Sequence, residues 1–144
     1  MCEVSGQKHC MRVTGMLGAG VQSATLIFYK LLKMNYITKK IVRKDDAVHR
    51  QFLGVDFEVL AIGQESMVTK MHYKTTDNVP YLKHPNEQNG YVISGKYKLQ
   101  FENNEYIITA GDSYSIPSNV EHTLEIIDPG EVIDVFTPVR QDYL

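Results

Sequence analysis

The sequence predicts an all-β fold, a small barrel of short antiparallel strands, and three observations predict it. From about Phe57 onward, turn signals recur at the roughly eight-to-twelve-residue spacing of sandwiches and barrels. The segments between those turns alternate apolar and polar side chains, the period of a strand with one buried face. No helical period competes with this pattern anywhere in residues 56–137.

Each element follows from that pattern. Strands are predicted at 56–62, 66–74, 88–93, 96–102, 105–109, 113–116, 121–127 and 131–137. Ser94-Gly95, Asn103-Asn104, Ala110-Gly111-Asp112 and Asp128-Pro129-Gly130 supply turns, because these residue types tolerate tight backbone geometry. Successive side chains of a strand point to opposite faces, so the inward face is legible. In 96–102 it is Tyr97, Leu99 and Phe101; in 121–127 it is His122, Leu124 and Ile126. An imidazole turned inward among aliphatic neighbours needs a hydrogen-bond partner or a metal. His72 shares a face with Lys70 and Lys74 and is expected to point to solvent.

Size and charge bound the function. A chain of 144 residues fits one domain with a real core and needs no disulfide framework. The two cysteines, Cys2 and Cys10, both fall in the first ten residues, which is compatible with a cytoplasmic protein. A net charge of −2 gives no field favouring nucleic acid or an anionic membrane, so neither is expected as a partner. Lys39, Lys40, Arg43 and Lys44 form the densest basic stretch, and Asp45 and Asp46 behind them mark it as a solvated connector.

Residues 1–34 differ in character from the remainder, 35–144. The apolar run 16–29 is too short and interrupted to span a bilayer. Gly18-Ala19-Gly20-Val21-Gln22-Ser23 is a glycine-rich loop, and the helix expected over 21–33 could place backbone N–H groups around a phosphate. LGAGVQS resembles the pyrophosphate loop of the ATP pyrophosphatase superfamily, whose doubly wound sheet needs far more chain. The expectation is therefore a helical or disordered leader, with Met34 as a second candidate start.

Two segments carry the chemistry. In the first, Leu82, Lys83 and His84 precede Gln88, and Gly95 follows after six intervening residues. In the second, Gly111, Pro117, Asn119 and His122 follow one another at set intervals. These resemble the paired motifs of the cupin superfamily, the double-stranded β-helix or jelly-roll barrel, with Asn119 in place of a glycine. Asparagine tolerates left-handed backbone angles, so that exchange is mild. The resemblance implies one divalent metal ion in the barrel, held by His84, Gln88 and His122. Leu82 stands where the motif has a further histidine, which leaves three ligands. Three protein ligands with open positions can still hold a catalytic metal, and imidazoles with an amide oxygen suit a borderline cation. Glu87 has the wrong parity and is expected at the rim.

The resemblance extends further. HPNEQNGYVISGKYKLQF, AGDSYSIPSNVEHTLEI and GEVIDVFTPVRQDYL are similar to segments of the small pectin-degradation cupins of the KdgF type. That family converts a 4,5-unsaturated monouronate to its linear keto form, on a metal held by three histidines and a glutamine. The resemblance implies a sugar acid as the small-molecule partner and Asp134, Phe136 and Arg140 as substrate-pocket residues. Val132, Asp134 and Phe136 share a strand face, which would project an acid into an apolar barrel, with Arg140 near enough in sequence to pair with it. The alternatives are a structural Asp134–Arg140 pair, a metal-poor binding or sensing cupin, and a metalloenzyme on another substrate. Asn86 replaces the KdgF-type family's histidine two residues after His84. A homodimer is expected, from the family and from the sheet edges a small open barrel leaves exposed.

Overall fold

Ten strands and two short 3-10 turns make up the computed structural model, which describes residues 41–144; the leader, its glycine-rich loop and its expected helix lie outside these. The strands are β1 (Val48–Phe52), β2 (Val55–Ile62), β3 (Met67–Tyr73), β4 (Val79–Leu82), β5 (Glu87–Val92), β6 (Lys96–Phe101), β7 (Asn104–Thr109), β8 (Ser113–Ile116), β9 (His122–Asp128) and β10 (Gly130–Thr137). They form a six-stranded sheet in the order β1-β2-β3-β10-β5-β8 and a four-stranded sheet in the order β4-β9-β6-β7. Every adjacent pair is antiparallel. The expected all-β jelly-roll barrel is what the chain adopts.

Each of the eight predicted strands is present within a residue or so of its expected bounds. Two more had no signal strong enough to read. β1 carries His49, Arg50 and Gln51 at its centre, and its apolar residues are only half buried. β4 contains Pro80, which lacks an N–H for the ladder and reads as a strand breaker; it is tolerated because β4 is an edge strand.

The β6–β7 turn also differs from expectation by one residue. Phe101 pairs with Asn104, so Glu102 and Asn103 form the loop, both at positive φ (51° and 60°). A two-residue hairpin of this hand matches the twist of its strands. Gly95 shows why the β5–β6 turn needs glycine: its φ is 93°, and a Cβ there would stand 2.5 Å from the Tyr97 hydroxyl.

The inner faces meet in one core. From the large sheet come Val55, Phe57, Val59, Met67, Met71, Val92, Val132 and Phe136; from the small sheet come Tyr97, Leu99, Ile108 and Leu124. At about 25 cal/mol per Å² of apolar surface removed from water, such side chains each contribute on the order of 1.5–3 kcal/mol to folding. Among the described residues, no helix is long and apolar enough to cross a membrane.

Candidate functional site

The register of the large sheet builds the site in rows. β8, β5, β10 and β3 run side by side, so Tyr114, Gly90, Asp134 and Thr69 form one inward row, and Ile116, Gln88, Phe136 and Met67 the next. Facing them on the small sheet, β9 brings in His122, paired with Leu82 of β4 and Phe101 of β6. His84 comes from the loop between β4 and β5. Its carbonyl accepts a hydrogen bond from the Asn119 N–H (2.8 Å), and Asn119 has a φ of 62°. The residue that replaces the motif glycine thus adopts the left-handed conformation and ties the two motifs together.

His84, Gln88 and His122 are all buried and lie together. The two rings meet edge to face with centroids 5.1 Å apart. His84 Nε2 lies 3.2 Å from Gln88 Oε1. Each Nδ1 faces a backbone carbonyl, Asn86 at 3.0 Å for His84 and Val120 at 2.9 Å for His122. A carbonyl only accepts, so His122 carries its proton on Nδ1 and keeps the Nε2 lone pair, the arrangement seen in metal-bound histidines. Both nitrogens of His84 face oxygens that only accept, and a neutral ring donates to one of them. Burial lowers the pKa of both rings; Arg140 and His122 add to it for His84, and Arg140 for His122. Both are held neutral.

The donor set fits a cation on this chemistry. The amide oxygen of Gln88 lies toward His84 Nε2. With the His84 proton on Nδ1, its Nε2 lone pair and Gln88 Oε1 stand 3.2 Å apart, a separation that two donors about 2.1 Å from a common ion adopt. The set remains thin. Among the described residues no three His, Cys, Asp or Glu side chains form a metal-binding group. Leu82, beside His122, lines the cavity where a further ligand would stand. Asn86 is turned away, donating to the Pro138 carbonyl at 2.5 Å.

Among the described residues Asp134 is the most buried acid, 1% exposed. Its pKa is raised to about 6 by burial, against the lowering effect of hydrogen bonds from Gln88 and Tyr114 and of the Arg140 charge. The Tyr114 hydroxyl donates to Oδ1 at 2.8 Å. The sequence pointed to Arg140 as the partner of Asp134, and the structure corrects this. Arg140 donates to Asp142 through Nε (3.1 Å) and Nη2 (3.1 Å), because an acid two residues away on the same 3-10 turn is nearer than one on β10. Its guanidinium is enclosed by the rings of Tyr143 (4.0 Å), Phe52 (5.1 Å) and Phe136 (5.2 Å).

Gln88, Tyr114, His122, Asp134 and Arg140 line an open cavity of about 50 Å³. That is room for a cation with a few waters. Phe136 does not line it. Its ring packs behind, against His84 (5.5 Å) and Tyr143 (5.4 Å). Glu87 is exposed, as its parity required, and His72 lies on the outer face between Glu58 and Glu131.

Sequence reasoning missed Tyr114. The signal was Gly90, a glycine inside a strand, which marks a close approach. A Cβ at Gly90 would lie 2.0 Å from Tyr114 Cζ, so the tyrosine ring crosses β5 only because that position carries no side chain.

Comparison with known proteins agrees with the fold. Residues 69–136 match the family model described as a cupin domain. The pectin degradation protein KdgF of Dickeya dadantii is 27% identical over 93 residues, 63% of this chain and 84% of that protein. An RmlC-like cupin from Shewanella frigidimarina superposes with a TM-score of 0.69 at 23% identity, covering 74% of this chain and 97% of that one. KdgF from Halomonas sp. gives 0.66 at 21% identity, covering 72% and 97%. The inward rows, the paired motifs and these matches lead to one conclusion: residues 69–136 form a cupin domain.

Proposed function

We propose that this cupin isomerises a 4,5-unsaturated monouronate to its linear 5-keto form. The observation that carries the reading is Asp134, a buried carboxyl with a pKa near 6 on the wall of a cavity it shares with Gln88 and His122. The similarity to KdgF supports the substrate class. An acid that titrates near the working pH can both take and return a proton.

The reaction needs one proton moved and one bond broken. Asp134 accepts the proton of the C1 hydroxyl as the C1–O5 bond opens, which leaves an aldehyde at C1 and an enolate on C5–O5. Asp134 then returns the proton to C4, and the C4=C5 double bond becomes a C5 ketone. The atoms balance as an isomerisation. Arg140, on the same wall, supplies positive charge for the uronate carboxylate. His84, Gln88 and His122 would hold a divalent cation, whose Lewis acidity stabilises negative charge developing on oxygen. The cavity is smaller than a sugar ring, so only the reacting end of the substrate enters it.

The test follows the alkene absorbance of an unsaturated galacturonate monomer with the full chain, with and without added divalent metal. Decay of the absorbance is expected, and its loss after chelation. Absorbance that stays constant after metal is restored removes this activity.

Leu82 and the two-histidine set favour a second reading, a cupin that binds a sugar acid without metal. It requires that sugar acids raise the melting temperature while divalent metals do not.

A further inference from the structure

Tyr114 reaches the site by an arrangement that spans three strands. In the row Tyr114–Gly90–Asp134, the tyrosine on β8 and the acid on β10 are separated by β5. Any side chain on the intervening strand would block the ring, since even a Cβ would stand 2.0, 2.4 and 2.5 Å from three of its atoms. With glycine there, the hydroxyl crosses the strand and holds Asp134 Oδ1 at 2.8 Å. The acid is thereby gripped on the sheet side, and its remaining capacity is directed toward the cavity that Tyr114, Gln88 and Asp134 all line.

We infer that Tyr114 is a positioning residue: held over Gly90, its hydroxyl fixes the orientation of the Asp134 carboxyl for proton transfer. The inference rests on the isomerase reading and adds a residue to it. A carboxyl freed from this grip rotates about its short side chain. Displacements of about 1 Å at a reacting group can cost on the order of a hundredfold in rate. Because Tyr114 acts through Asp134, its loss falls on kcat and leaves KM in place.

The experiment compares Tyr114→Phe with Tyr97→Phe in the full chain, on the unsaturated uronate. Tyr97 is a buried core tyrosine whose hydroxyl donates to the Ser94 carbonyl at 2.9 Å, away from the cavity, so its variant reports what losing a structural hydroxyl does. Tyr114→Phe is expected to lower kcat at least about tenfold with KM within about twofold, while Tyr97→Phe lowers the melting temperature and keeps kcat. Gly90→Ala, which displaces the ring, is expected to reproduce the kcat loss, and Gly90→Ala combined with Tyr114→Phe to be no worse than the poorer single variant. Unchanged kcat in Tyr114→Phe, or an equal loss in Tyr97→Phe, overturns the inference while the isomerase reading stands. A wild-type protein inert toward the uronate overturns both, and the two failures are told apart by the wild-type rate alone.

Discussion

Strand β10 carries two acids three residues apart, and the sheet gives them opposite surroundings. Asp134 faces the core, with the Tyr114 hydroxyl on its Oδ1. Glu131 faces outward, where Lys70 (3.4 Å) and His72 (3.0 Å) meet it, and Lys70 also reaches Glu58 at 3.3 Å. The outer acid is compensated by the Lys70 ammonium, a histidine ring and water. The inner one sits in a low-dielectric space, where burial raises its pKa to about 6 against the lowering effects of hydrogen-bond donors and of the Arg140 charge. One strand thus separates a structural charge network from a reactive group, and residue parity alone decides which acid is which.

The largest way to break this contrast is to open the inner face. Phe136 is 1% exposed and backs both His84 and Arg140. Phe136→Ala is expected to cost about 3–5 kcal/mol in urea unfolding, the range for a fully buried aromatic. Val135→Ala, one residue along on the outer face, is expected to cost less than about 1.5 kcal/mol. Equal losses would mean that the two faces are not packed differently.

Next in size is the pH dependence of the inner acid. With an ordinary value of 3.8 and a buried value of about 6, the folded state holds the Asp134 proton more tightly than the unfolded chain does. This group's contribution is therefore full below pH 4 and is lost as pH rises through 6, by about 3 kcal/mol in all. Stability of chelated protein, followed between pH 4 and pH 7, is expected to show that fall. Asp134→Asn is expected to flatten it. A variant with the wild-type slope would place the titration elsewhere.

The resemblance of the two motifs to the cupin pattern, with the inward parity of His122 on β9 and Gln88 on β5, grouped His84, Gln88 and His122, and the structure brings these three side chains together. Parity and spacing are local, and local rules read well in strands. What they missed depends on neighbours that are distant in the chain. Tyr114 alternates inward like any β8 residue, and only its pairing with Gly90 shows that its ring crosses to another strand. Arg140 was matched to Asp134 by sequence distance, but Asp142 lies on its own turn and takes the guanidinium. β4 was hidden by Pro80, whose missing N–H matters only in a strand paired on both sides.

A third change sharpens the site on the facing sheet. Leu82 is paired with His122 and lines the cavity, so Leu82→His adds an imidazole beside the existing set. Divalent metal affinity by calorimetry is expected to rise about ten- to a hundredfold, at least the effect of an outer-shell partner. An unchanged affinity would show that His84, Gln88 and His122 do not centre on a point that residue 82 can reach.

The smallest effect belongs to the outer network. Lys70 sits between Glu58 and Glu131 and is about a quarter exposed, so water screens much of its attraction to both acids. Lys70→Met keeps most of the apolar stem and removes the charge. The expected loss is below about 1 kcal/mol at low salt, and wild type and variant should converge near 1 M salt. A loss that persists at high salt would mean that the Lys70 stem, packed along β3, carries the contribution rather than its charge. In that case the two faces of β10 would differ in packing alone, and the outer acids would have no electrostatic part in holding the strand.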